Sequence, residues 1–404
     1  MANTIKFGNG QWATKKDSIL AYNDENANFK PLPFVTSRAS TATRVNKAGL
    51  LETVASGIPR VDYLGNTKGA YLLEPQRTNN LVQSNQFNTS WSVPNGITLN
   101  GNQLSPLSGG LDAWKLESDG SSGFLAINQI ASVTGTNTFS IYAKAGTNRY
   151  VSLRGLSGLD VRAQFDLING EVYGSSNAVS TKINHIKDGW YRCTVTFDAS
   201  NSFFYIYPMI QGVADAGSIY IQYSQLEAGR YASSRIPTTS SAVTRLADTA
   251  NNAGNNQVIS SSEGVLYFEG SVSDTLTNSW ISLYEKSNIT NNQFNLRFVN
   301  STNIIQCVSR AGGLGQDVVL QSTITDKTVV NKIAVKYKLN DWALWVNGVE
   351  VDTATSSTAF TPNSLDVLSL NKGNNSQFFY GKTNDLRVYN TALTDAELAA
   401  LTQV

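Results

Sequence analysis

Short runs of alternating apolar and polar residues, broken about every ten positions by Asn, Gly, Ser or Asp, fill most of this chain and point to antiparallel β-sheet. Thr138-Phe-Ser-Ile-Tyr-Ala-Lys-Ala-Gly146 and Ala163-Gln-Phe-Asp-Leu167 are typical. Period-two alternation at this spacing reads as β-sandwiches, whose strands bury one face and wet the other. Helical periodicity is scarce. The clearest helix is at the end, where Thr394 caps a turn with Glu397 three residues later, ahead of Leu398 and Leu401. The expected fold class is all-β: two antiparallel β-sandwich (jelly-roll) domains with an extended N-terminal arm.

Two Asn-Gly pairs sit inside the alternation, Asn169-Gly170 and Asn347-Gly348, and each reads as a two-residue type I′ hairpin. Between them lies a stretch of small polar residues and turn-formers, Pro237-Thr-Thr-Ser-Ser-Ala-Val-Thr, then Asn251-Asn-Ala-Gly-Asn-Asn256 and Ser260-Ser-Ser262, which marks a domain boundary. The expected organisation is an arm over residues 1–80, a sandwich over 81–240, a linker over 241–262 and a second sandwich over 263–404. The first segment carries Pro31, Pro33 and Pro59 with only short apolar runs such as Ala70-Tyr-Leu-Leu73, too little to fill a core alone. It reads as an arm that packs on a neighbour.

With 41% hydrophobic residues the chain has enough apolar surface for full cores, and its length suggests about two or three domains. Charged residues make up only 15%, which leaves a polar but mostly uncharged surface. Lys and Arg number 31 against 30 acidic residues and form no basic block, so nucleic acid is not expected as a partner. No apolar run of about 18 residues is present and the start has no signal-peptide core, so neither membrane insertion nor export is expected. Cys193 and Cys307 fall in different expected domains, which argues against a disulfide.

The densest information lies in Asn331 to Val351. With Asn340-Asp341 and Asn347-Gly348 both taken as two-residue turns, Leu339 pairs with Trp342, Tyr337 with Leu344, Val335 with Val346, and Val346 with Val349. Ile333, Val335, Tyr337, Leu339, Trp342, Leu344, Val346, Val349 and Val351 then share one face. The other holds Lys336, Lys338, Ala343, Glu350 and one large apolar group, Trp345. An indole flanked by Lys336 and Glu350 on a polar face is a platform for stacking a sugar ring, unless a loop or the Lys336 stem covers it. Trp345, Lys336 and Glu350 are the candidate glycan-binding residues.

Catalytic chemistry finds little support. The lone histidine, His185, has no Gly-x-Ser-x-Gly elbow to serve, and zinc clusters of His and Cys are excluded by the same scarcity. Glu227 and Asp385 stand isolated in sequence, whereas glycoside hydrolysis needs a spaced carboxylate pair. The Gly-rich Ala311-Gly-Gly-Leu-Gly315 lacks the Lys-Ser/Thr of a phosphate loop, and no ligand spacing supports calcium. The expectation is no enzyme, no cofactor, no catalytic residue and no metal.

Two resemblances complete the reading. Ser37-Arg-Ala-Ser-Thr-Ala-Thr-Arg-Val-Asn-Lys-Ala-Gly49, Ile58-Pro-Arg60 and Tyr71-Leu-Leu-Glu-Pro-Gln-Arg-Thr-Asn79 resemble the leader of bacteriophage tail and head-spike proteins. Phe87-Asn-Thr-Ser-Trp91 is similar to the entry of the sandwich that follows it, and Ser224-Gln-Leu-Glu-Ala-Gly229, Ile236-Pro-Thr238 and Thr244-Arg-Leu-Ala-Asp248 to its exit. That family's sandwich is similar to carbohydrate-binding modules. The last domain resembles concanavalin A-like, laminin-G-like sandwiches through Trp345-Val-Asn-Gly348, Tyr380-Gly-Lys-Thr-Asn-Asp-Leu-Arg-Val-Tyr389 and Ala392-Leu-Thr-Asp-Ala-Glu-Leu398.

Together they imply a structural protein of the virion surface, a head or tail fibre or spike, made in the bacterial cytoplasm and released by lysis. Its arm would dock on other virion proteins, its sandwiches would reach host-surface glycans, and a homo-oligomer, guessed as a trimer, would present them. Passive decoration with no ligand is the alternative, and a polysaccharide-degrading enzyme or its binding module is the third reading.

Overall fold

The alternation becomes antiparallel strands throughout the computed structural model, which describes residues 4–23, 30–121, 123–313, 315–373 and 375–404. Among these residues the single helix is Asp395–Thr402. No helix among them is long and apolar enough to cross a membrane. The chain divides into two units, one of Met1–Ser40, Ala55–Pro75 and Ala247–Val404, the other of Thr41–Val54 and Gln76–Leu246. Neither unit is a continuous stretch of sequence.

In the first unit one sheet runs in the order Thr249–Asn251, Lys30–Ser37, Ser18–Asn23, Ile5–Gly8, Gly381–Tyr389, Glu263–Val272, Asn331–Lys338, Trp342–Val346, Val349–Ala354. A five-stranded sheet completes the sandwich, in the order Val319–Thr323, Ile304–Arg310, Gln293–Phe298, Ser279–Tyr284, Val367–Ser369. Phe268, Leu386 and Val335 from one sheet and Ile281, Phe294 and Leu296 from the other share a core.

This arrangement corrects the expectation of an extended arm over residues 1–80. Ile5–Gly8 pairs with Gly381–Tyr389 in the register Ile5↔Val388 and Phe7↔Leu386. Ser18–Asn23 pairs with Lys30–Ser37, and Ala70–Leu73 adds to the far end of Gly381–Tyr389. Ile5, Phe7, Ile19 and Phe34 are all fully buried. Each run is too short to bury a face by itself, and its partner strand lies up to some 380 residues away in sequence (Ile5↔Val388). Residues 41–54 and 76–80 belong to the other unit, and the expected linker holds one short strand of each unit, Val243–Arg245 on Arg77–Asn79 and Thr249–Asn251 on Lys30–Ser37.

The second unit pairs a six-stranded sheet (Ile97–Gln103, Ala113–Asp119, Ala216–Ala228, Thr136–Ala145, Trp190–Asp198, Ser180–Lys187) with a five-stranded one (Ile127–Val133, Asn201–Tyr207, Tyr150–Leu156, Val161–Asp166, Glu171–Ser176). Phe139, Ile141, Val151, Phe165 and Phe204 lie in its core.

The hairpins differ in instructive ways. At Asn347-Gly348 both residues have positive φ, 49° and 87°, and Val346 faces Val349, as a type I′ turn requires. At Asn169-Gly170 the first closed pair is Asp166↔Glu171, and Gly170 N–H donates to the Asp166 carbonyl at 2.9 Å. The Asp166 carboxylate accepts from the amides of Ile168 and Asn169, an Asx turn that lengthens the loop to four residues. The hairpin before Trp342 closes with Lys336↔Ala343 and Val335↔Leu344, two positions from the expected register. A slip of two keeps every side chain on its face. Tyr337, Trp342, Leu344 and Val346 are therefore in the core as expected, while Leu339 and Val349, at the turns, are 51% and 60% exposed.

If the first strand is an integral part of the core, Phe7→Ala costs about 3–5 kcal/mol in chemical denaturation. A loose arm would give a change within about 0.5 kcal/mol.

Candidate functional site

Alternation does turn Trp345 away from the core, and Ala334 and Glu350 flank it across the sheet. The C-terminal helix then covers it. Leu398 and Leu393 close over Trp345, Val265, Tyr267 and Tyr389 in a small separate cluster, leaving the indole 8% exposed. Thr394 caps this helix with the capping box read from sequence: its hydroxyl accepts from Glu397 N–H, and its own N–H donates to the Glu397 carboxylate at 2.8 Å. Lys336 Nζ holds Asp341 at 2.7 Å and reaches Asp395 of the helix at 3.4 Å, while Glu350 is solvent-exposed. Trp345, Lys336 and Glu350 are neighbours, but they do not form an open sugar platform. Trp345→Ala is consequently a folding variant, expected to cost about 3–5 kcal/mol on urea denaturation; an exposed platform residue would change stability by about 0.5 kcal/mol or less.

The open sites of this unit lie elsewhere. A cleft of about 450 Å³ is bounded by residues 256–262, Leu339, residues 359–363 and Asn390. Asn256, Gln257 and Asn363 are exposed at its edge, Leu339 offers half its surface, and Phe360 forms a buried wall. Two bonds brace one rim: Tyr337 O–H donates to the Ser260 carbonyl at 2.8 Å, and Leu365 N–H to Ser261 Oγ at 2.9 Å. None of the lining residues is charged. Carboxamides that both donate and accept, set beside an apolar wall, match the alternating hydroxyl and C–H surfaces of a neutral sugar. The sequence signal for this site, Asn255-Asn-Gln257 and Ser260-Ser-Ser262, reads locally as turn and linker material. A second cleft, of about 400 Å³, has a charged lining, with Glu269, Lys382 and Asn384 facing residues 64–70. Lys382 is spent on Asp62, at 2.7 Å.

Of the titratable residues singled out in the sequence, Glu227 and Asp385 are buried and already bonded. Glu227 is fully buried and accepts from Gln225 Nε2, Ser233 N–H and Ser233 Oγ–H. Asp385 is 2% exposed and gripped by Arg387, whose Nε lies 3.0–3.1 Å from both carboxylate oxygens; burial raises its pKa despite that cation. Glu269 stands directly opposite Asp385 on the next strand, a carboxylate neighbour hidden from sequence reading by more than a hundred intervening residues. Tyr267 O–H donates to Glu269 at 3.0 Å, so both acids are already bonded. His185 is exposed, edge-on to Tyr191 at 5.4 Å. Cys193 and Cys307 are buried free thiols, and burial raises the pKa of each. No group of three or more His, Cys, Asp or Glu side chains suited to a metal occurs among the described residues.

Arg38, Arg60, Glu74 and Asp248 converge on buried charge. Arg60, with no exposed surface, binds Glu74 at 2.7 Å and also Asp248. Arg38 binds the other Asp248 oxygen at 3.0 Å and donates to the carbonyls of Ser40, Ala55 and Ile58. Two cations and two anions cancel.

Residues 271–399 match the concanavalin A-like lectin/glucanases superfamily. The first unit carries a concanavalin A-like sandwich. No curated protein matches the chain. Among solved structures, the CBM40 of Ruminococcus gnavus IT-sialidase bound to α2,3-sialyllactose is 20% identical over 35% of this chain and 83% of its own, with a TM-score of 0.31. Domain 4 of AbnA, a GH43 extracellular arabinanase from Geobacillus stearothermophilus, in complex with arabinotriose, is 15% identical over 44% and 84%, with a TM-score of 0.33. The SAP-like pentraxin of Limulus polyphemus is 9% identical over 36% and 71%, at 0.31.

Proposed function

We propose that this chain is a non-catalytic, glycan-binding surface protein whose concanavalin A-like unit takes a neutral sugar in the cleft between residues 256–262 and 359–363. The uncharged, carboxamide-edged lining of that cleft carries the proposal. The match to a superfamily of lectins and glucanases supports the ligand class. The bonding already spent on Glu227, Asp385 and Glu269 supports the absence of glycosidase chemistry.

The finer setting we propose is a bacteriophage particle, with the chain as a head or tail fibre or spike component made in the host cytoplasm and released by lysis. Its support is the motif series from Ser37 to Asp248, which resembles spike leaders and whose Arg38, Arg60, Glu74 and Asp248 build one buried network. Residues 4–23 and 30–75 are folded, so docking on other virion proteins falls to a folded surface and not to a free arm. A homo-oligomer, first a trimer, would multiply weak single-site affinity by avidity.

A glycan array with the purified chain tests the reading. At least one neutral glycan is expected to bind, and Leu339→Ala combined with Gln257→Ala, both at exposed positions, is expected to weaken it about tenfold at unchanged Tm. Retention of no glycan favours passive decoration. Release of shortened product from a bound polysaccharide would establish an enzyme instead.

A further inference from the structure

The second unit carries an aromatic layer on the wrong side of a sheet. In the five-stranded sheet, Val151, Leu153, Val161, Ala163, Phe165, Phe204 and Ile206 fill the sandwich core. The alternate positions on the other face include Phe203, Tyr205 and Tyr207 on one strand, the two tyrosines buried at 9% and 4% exposure, and Arg154 and Arg162 on the next two. Register sets Asn128, Tyr205, Arg154, Arg162 and Ser176 in one row across all five strands. Phe124, from the loop before Ile127–Val133, lies edge-on against Tyr205 at 4.9 Å and Tyr207 at 5.5 Å, yet is 46% exposed. Arg154 sits over the rings of Phe124 and Tyr205, at 5.9 Å and 6.0 Å.

Two arginines directly opposite each other on neighbouring strands repel unless something lies between them. Asp160 does. Arg154 holds it in a fork, Nε at 2.8 Å and Nη2 at 3.0 Å, and Arg162 approaches with its Nε at 3.0 Å. Hydrogen bonds from Arg154 and then Arg162 hold the Asp160 pKa well below the carboxylate range, so it stays ionised. One anion shared by two cations leaves a unit of positive charge. The two guanidiniums are not equivalent. Arg154 is 12% exposed and its Nη1 reaches the Tyr207 hydroxyl, whereas Arg162 is 43% exposed and its Nη1 has no hydrogen-bond partner among the described residues.

We propose that this face is a second carbohydrate site, distinct from the neutral cleft, that takes an acidic polysaccharide through a carboxylated sugar residue. The exposed ring of Phe124 supplies the surface on which a pyranose stacks, and the free edge of Arg162 supplies two N–H donors for the sugar carboxylate. Arg154 is a positioning residue: it fixes Asp160 and thereby the orientation of Arg162. Charge decides the class, because a neutral sugar leaves the uncompensated cation without a partner and an anionic one satisfies it.

Isothermal titration of the full chain at low ionic strength, with oligogalacturonate, a hyaluronan oligosaccharide and an oligosialate, each against its methyl ester, tests this. At least one free acid is expected to bind about tenfold or more tightly than its ester, and to weaken as salt rises. Arg162→Gln and Phe124→Ala are expected to lose about tenfold each with Tm unchanged, while Arg149→Gln, in the loop just before Tyr150–Leu156 and paired to Asp166, leaves affinity intact. Binding of none of the three acids, equal binding of acid and ester, or an unaffected Arg162→Gln would overturn it. Loss with Leu339→Ala in place of Arg162→Gln would move the acidic sugar to the cleft, overturning this site while leaving glycan binding by the chain in place.

Discussion

The carboxylate of Asp248 joins two buried arginines, and the first unit is organised around that bond. One oxygen takes Arg38 and the other takes Arg60 and the backbone N–H of Glu74, whose own carboxylate closes on Arg60. The four residues come from points spread over two hundred positions of sequence. A buried ion network of this kind adds little net stability, because desolvation offsets most of the attraction. Its effect is selective: a misplaced segment strands a buried charge, at a cost of several kcal/mol. A sandwich assembled from the two ends of the chain needs such a constraint. In the second unit Glu227 plays a similar part, bonded to Ser233, which also accepts from the buried Arg245 at 3.2 Å.

Sequence pattern gave the fold class because alternation is a local property. Trp342, Leu344 and Val346 are inward at any even register, which is why a hairpin displaced by two residues left the core face intact. The turn at Asn347-Gly348 and the cap at Thr394 were readable for the same reason, each being fixed by adjacent residues. Asn169-Gly170 was not, since Asp166 two residues upstream of the expected strand end captured the turn amides. Ile5–Gly8 looked like part of an arm because the strand that completes it comes from the other end of the chain.

The candidate site was misplaced by the same limit. Alternation correctly put Trp345 on the outer face, but the helix that covers it is separate in sequence and its apolar residues, Leu398 and Leu401, carry no mark of their target. The open surfaces had weaker signatures. Asn256, Gln257 and the serines of the cleft are indistinguishable from linker until Phe360 and Leu339 stand beside them. In Phe203-Phe-Tyr-Ile-Tyr207 both alternate sets are apolar, which is the local sign of a strand with two occupied faces, and only the pairing with Arg154 shows what the outer set accompanies.

Charge therefore separates two surfaces of this protein, an uncharged cleft in the concanavalin A-like unit and a cationic aromatic face in the other. Hydrogen–deuterium exchange of the full chain, with and without a neutral glycan that it retains, addresses the central claim most directly. Slowed exchange confined to residues 256–262 and 359–365 is the expected result. Protection at the C-terminal helix and Trp342–Val346 with the cleft unchanged, or no protection in either place, would contradict it.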